Sequence, residues 1–131
     1  MSRPLALFVV YALVFLAIDA IWLTLTAKPL YRRELGDLML DQPNFVAAGL
    51  FYLIYITGLV VLVGLPAGDD VMRALWTGAV LGLMAYATYD LTNLATLRGF
   101  SPRLVLIDIA WGTTLTGVTA AVGLWIASRF S

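Results

Sequence analysis

Three aspartates, Asp19, Asp90 and Asp108, sit inside runs of residues that are otherwise apolar enough to cross a lipid bilayer. A carboxylate at the centre of a spanning helix costs about 2.5 to 3.5 kcal/mol on insertion scales, and less nearer the interface, so three of them are functional suspects by default. Two share a pattern. Ile18-Asp19-Ala20-Ile21-Trp22-Leu23-Thr24 and Ile107-Asp108-Ile109-Ala110-Trp111-Gly112-Thr113 both read I-D-x-x-W-x-T. Residues three apart share a helix face, so each Asp can lie beside a Trp whose indole N–H donates and cannot accept. The third carboxylate ends a stripe of Gly78, Gly82, Tyr86 and Asp90 that repeats every four residues, with Asn93 three further on. Carboxylates with aromatic walls suit the binding or transport of a small cationic or polar solute, or of protons. The alternative is an intramembrane lipid-modifying enzyme, or an accessory subunit of one, with paired carboxylates as general acid and base. No strong nucleophile or metal-ligand cluster is visible, so the balance leans away from an enzyme, and no catalytic residue, metal or cofactor is assigned. A third reading makes the chain a structural partner of another membrane protein. The plainest reading of the aspartates is structural, with Trp, Asn, Thr or a loop Arg as their partners.

Composition sets the elements that must carry these groups. Hydrophobic residues make up 62% of 131 and charged residues 12%, and the mean hydropathy is +0.94, far outside the range of an ordinary soluble domain. The formal charge is zero, which suggests neither a nucleic-acid partner nor a polybasic lipid-surface patch. The chain has no Cys and no His, which removes disulfides, thiol catalysis and the usual zinc and haem ligands. Four apolar runs, Pro4 to Ala27, Phe45 to Leu65, Ala74 to Leu97 and Leu104 to Ser128, each reach the roughly 20 residues a helix needs to cross the hydrocarbon core. The expectation is an all-α polytopic membrane protein: one four-span domain, a four-transmembrane-helix bundle. The first run carries Asp19 and Trp22 and leads into Lys28-Pro29, so it reads as a structural helix rather than a signal peptide. In Tyr31 to Met39, Tyr31, Leu35, Leu38 and Met39 share one face, the pattern of a short interfacial helix.

Topology brings the aspartates to one depth. Helices one and three run in the same direction with Asp19 and Asp90 in their second halves, while helix four runs oppositely with Asp108 in its first half. At 1.5 Å per residue, Asp19 lies about 13 Å from Lys28, Asp90 about 12 Å from Arg98 and Asp108 about 8 Å from Arg103. All three should therefore converge on one cavity, walled by Trp22, Tyr86, Asn93 and Trp111, with Arg98 and Arg103 as candidate counter-charges. Three carboxylates that close cannot all ionise cheaply without a cation or an arginine among them. Lys28, Arg32, Arg33, Arg98 and Arg103 lie on the aspartate side, against Arg3, Arg73 and Arg129 on the other. That asymmetry favours both termini outside, periplasmic in a bacterial inner membrane. Gly78 and Gly82 read as a close helix contact. Aligning Asp19 with Asp90, and Thr57-Gly58 with Thr116-Gly117, raises a duplicated helical hairpin as an alternative origin.

The string Tyr89-Asp90-Leu91-Thr92-Asn93-Leu94-Ala95-Thr96 with Arg98-Gly99-Phe100, together with Asp108-Ile109-Ala110-Trp111-Gly112, Asp19-x-x-Trp22 and Phe51-Tyr52, resembles the small bacterial membrane proteins grouped as domain-of-unknown-function family 2177. The resemblance covers essentially the whole chain. It implies a four-span inner-membrane protein, brings no established activity and therefore supplies no catalytic residues. The partners expected are the lipid bilayer and a small polar or cationic ligand or lipid, and a homodimer or a membrane-protein partner is compatible with the small-residue faces.

Overall fold

A computed structural model describes residues 1–40 and 42–131. The regular elements are all helical among the described residues: α1 (Arg3–Trp22), a π-helical turn (Leu23–Ala27), α2 (Lys28–Leu35), a 3-10 turn (Gly36–Leu38), α3 (Phe45–Leu59), a second π-helical turn (Val60–Gly64), α4 (Leu65–Ala67), α5 (Val71–Thr96) and α6 (Pro102–Ala127). Among the described residues, four continuous helices are long and apolar enough to cross a membrane: Arg3–Leu38, Phe45–Ala67, Val71–Thr96 and Pro102–Ala127. Each begins at a short polar side chain that accepts from a backbone N–H of the first turn: Ser2 from Leu5, Asn44 from Ala47, Asp70 from Arg73 and Ser101 from Leu104. Such a cap satisfies a donor that has no partner within the helix.

The first span continues through Lys28 and Pro29 and takes in the segment that reads in sequence as a separate interfacial helix. Proline inside a helix lacks an N–H and collides with the carbonyl four residues back. Here the chain widens by one residue just before it: the Lys28 N–H bonds the Leu23 carbonyl. The same device precedes Pro66, where the Leu65 N–H bonds the Val60 carbonyl. A π turn accommodates the ring without ending the helix. The ends come at Gly36 and Gly68, with φ of 57° and 64°, a region that glycine enters without steric cost.

α5 and α6 form the tightest pair. A Cβ on Gly78 would lie 2.7 Å from the Ala120 Cβ, and one on Gly82 would lie 2.8 Å from the Thr116 Cβ. Both distances are too short for real atoms, so the backbones meet only because those side chains are missing. α1 packs on α6 through Tyr11, which is fully buried and donates to the Ala120 carbonyl at 3.0 Å. The main core joins Leu7, Tyr11 and Phe15 of α1 to Tyr55, Ile56 and Leu59 of α3 and to Leu115, Ala120 and Leu124 of α6. At the opposite end of the bundle from the paired Arg3 and Asp69, 3.0 Å apart, α2 lies under the α5–α6 connection. There Leu30 packs with Phe100, Leu104 and Val105.

Candidate functional site

Asp19 (α1) and Asp108 (α6) face one cavity of about 460 Å³, whose wall also contains Trp22, Leu23, Tyr31, Phe51, Ala85, Tyr86, Tyr89 and Trp111. Asp90 does not reach this wall. It is 1% exposed, and its Oδ2 is buried without a hydrogen-bond partner among the described residues. Two of the three carboxyls thus face one space, and the third is packed away outside its wall.

Their donors come from neighbouring helices. The Tyr52 hydroxyl of α3 donates to Asp19 Oδ2 at 2.6 Å, and the Trp111 indole N–H of α6 donates to Asp19 Oδ1 at 3.3 Å. The Tyr31 hydroxyl of α2 donates to Asp108 Oδ1. The second I-D-x-x-W repeat therefore works across helices rather than within its own: Trp111 serves Asp19. Trp22 stacks on that indole, with centroids 4.3 Å apart and planes 9° from parallel. The Thr of each repeat takes no part, since Thr24 and Thr113 donate to the carbonyls of Ala20 and Ile109 in their own helices.

Gly112 lets the site close from the α5 side. A Cβ there would fall inside the Tyr86 ring, so the glycine of the second motif is the seat of a wall residue from α5. Tyr86 meets Tyr55 edge-on at 6.3 Å, and Tyr55 shares a 2.7 Å hydrogen bond with Thr116. Both atoms are buried in the core next to the cavity.

Of the residues singled out in sequence, Asp19, Trp22, Tyr86, Asp108 and Trp111 line the cavity, and Asp90 is buried outside its lining. Asn93 is half-buried, outside the lining. Arg98 and Arg103 are exposed and form no ion pair with the three aspartates among the described residues. Phenol hydroxyls occupy the positions expected of counter-charges. Tyr31 and Tyr52 are the site residues that sequence reasoning did not assign, although Tyr31 stood on the face of the expected interfacial helix and Tyr52 in the Phe51-Tyr52 pair of the family resemblance. Among the described residues no group of three or more His, Cys, Asp or Glu is arranged to hold a metal ion.

A sequence model of a family described as predicted membrane protein matches residues 4–125. No curated protein and no solved structure matches the chain.

Proposed function

The chain belongs to the DUF2177 family of predicted membrane proteins, and from that premise we propose that it binds a small organic cation within the bundle, as a binding or transport protein. The observation that carries this reading is the cavity wall: two carboxyl groups, six aromatic rings and no lysine or arginine. A cation over an aromatic face gains about 0.5 to 2 kcal/mol per ring, most where water is excluded. Carboxylates at the same wall add charge complementarity that a neutral solute would not use. The volume is within the range of small-ligand sites. Asp19 and Asp108 are already oriented by Tyr52, Trp111 and Tyr31, so a cation meets preorganised acceptors.

The stacked pair Trp22–Trp111 supplies the readout. In a background with Trp76→Phe and Trp125→Phe, these are the only indoles left. Tetramethylammonium added to the protein in nanodiscs should shift their emission saturably, and Asp19→Asn with Asp108→Asn should abolish the shift in protein that still unfolds cooperatively on heating. Absence of a saturable shift, or its persistence in the double variant, overturns the reading.

Orientation is part of the proposal. The excess of basic residues at the aspartate end supports a reading with that end in the cytoplasm of a bacterial inner membrane and both termini outside. Single cysteines at Ser2, Asp70 and Ser131 should label from outside and those at Asp37 and Gly99 only after permeabilisation; the opposite pattern reverses the orientation.

A further inference from the structure

We propose that the cavity is entered sideways from the lipid, between α3 and α5, and that its ligand is an amphipathic cation: an ammonium headgroup held at Asp19 and Asp108 with an apolar tail leaving through that gap. The proposal rests on the cation reading above and names the ligand class and its route.

The gap is a product of how α3 packs. All buried residues of α3, Tyr55, Ile56 and Leu59, lie in its second half. From Phe45 to Ile54 nothing is buried, and Phe45, Val46, Leu50, Leu53 and Ile54 are each more than half exposed. α3 and α5 are bridged by Tyr55 against Tyr86, and beyond this bridge, toward the aspartate end, they part. Phe51 and Tyr89 stand on the two sides of the cavity there, 44% and 58% exposed. Both helices are long and apolar enough to span a bilayer, so an opening between them at this depth faces lipid chains, not water.

The route from the aqueous end is obstructed. α2 continues α1 across that end, and Tyr31 is tied to Asp108. On its far side a second cavity, of about 430 Å³, shares Leu23 and Tyr31 with the first and is lined by Lys28 and Arg32. A cation approaching from there passes the Lys28 ammonium and then has to displace a hydrogen-bonded phenol. From the lipid it meets only Phe51, Ala85, Tyr86 and Tyr89 before the carboxyls. A ligand that reaches the site through lipid must partition into lipid, which a bare ammonium ion does poorly and a tailed one does well.

The test uses trimethylammonium compounds with one fixed headgroup and a methyl, hexyl or decyl tail, titrated against the Trp22–Trp111 emission in nanodiscs, with the Asp19→Asn, Asp108→Asn double variant as the blank. If the tail lies in lipid when the head is bound, the midpoint on aqueous concentration should tighten by about threefold or more per methylene. Decyltrimethylammonium, with nine more methylenes, should then bind on the order of ten-thousandfold tighter than tetramethylammonium. Ala85→Phe, which puts a ring in the portal, should weaken the decyl compound by about tenfold and the methyl compound far less. Equal or weaker binding of the tailed compounds beside intact tetramethylammonium binding overturns lateral entry and leaves the cation site standing. No saturable response to any of them overturns both.

Discussion

The two halves of the bundle hold together by different means. In the second, α5 and α6 run 26 residues each without interruption, and their backbones touch at Gly78, Gly82, Gly112 and Gly117. In the first, α1 and the helix that begins as α3 are each widened by a π turn before a proline. Gly49 and Gly58 of α3 face open space. Small residues make a contact only where two helices present them to each other; on a helix with no close neighbour they are merely small. The second half is a rigid wall, and the first leans on it through Tyr11, Phe15, Tyr55 and Leu59. The cavity lies where that leaning stops.

The sharpest way to break this contrast is to make one substitution in both halves. Gly82→Leu and Gly112→Leu should each overpack α5 against α6 and cost about 3 kcal/mol, read as a large drop in thermal midpoint in detergent. Gly49→Leu, with nothing within 4 Å of its added Cβ, should change stability by no more than about 0.5 kcal/mol. Equal losses at Gly49 and Gly82 would mean that α3 has a partner along its exposed face, such as a second copy of the chain.

The next effect in size separates the site from both halves. Tyr52→Phe removes a donor to Asp19 and Tyr31→Phe removes the donor to Asp108, and a hydrogen bond to a charged acceptor contributes about 1.5 to 3 kcal/mol. Each substitution should lower the thermal midpoint and weaken tetramethylammonium binding together. Tyr52→Phe should do less of both, because Trp111 still donates to Asp19. If stability falls while the ligand response is untouched, the hydroxyls hold the fold alone.

The smallest effect lies at the helix starts. Asn44→Ala and Ser101→Ala each remove an N-cap worth about 1 kcal/mol, but the consequences should differ in kind. α6 is packed from Leu104 and Val105 onward, so loss of Ser101 should appear in the global midpoint. The first ten residues of α3 bury nothing, so loss of Asn44 should appear as faster amide hydrogen exchange confined to that segment, with little change in the midpoint. Global destabilisation by Asn44→Ala would show that the start of α3 is coupled to the core.

Much of the architecture could be read from residue types alone, for reasons local to each segment. Run length and apolarity dictate four helices in a membrane, because a backbone in lipid must satisfy its own hydrogen bonds. Ser2, Asn44, Asp70 and Ser101 set where those helices begin, and Pro29 and Pro66 require a local widening or a break. Counting residues from the charged ends was enough to bring Asp19, Asp90 and Asp108 to one depth. What a near-uniformly apolar helix does not encode is its own rotation and its distance from its neighbours, since lipid and protein interior are equally acceptable to Leu, Val and Ile. Those were decided by tertiary contacts: the glycines that let α5 and α6 meet, and the packing against Trp22 that sets the Trp111 indole on Asp19 of the other helix. Tertiary structure also chose Tyr31 and Tyr52 over Arg98 and Arg103 as partners of the aspartates. A phenol carried on a helix can be packed into place beside a carboxyl, whereas an arginine in a connection stays where water is.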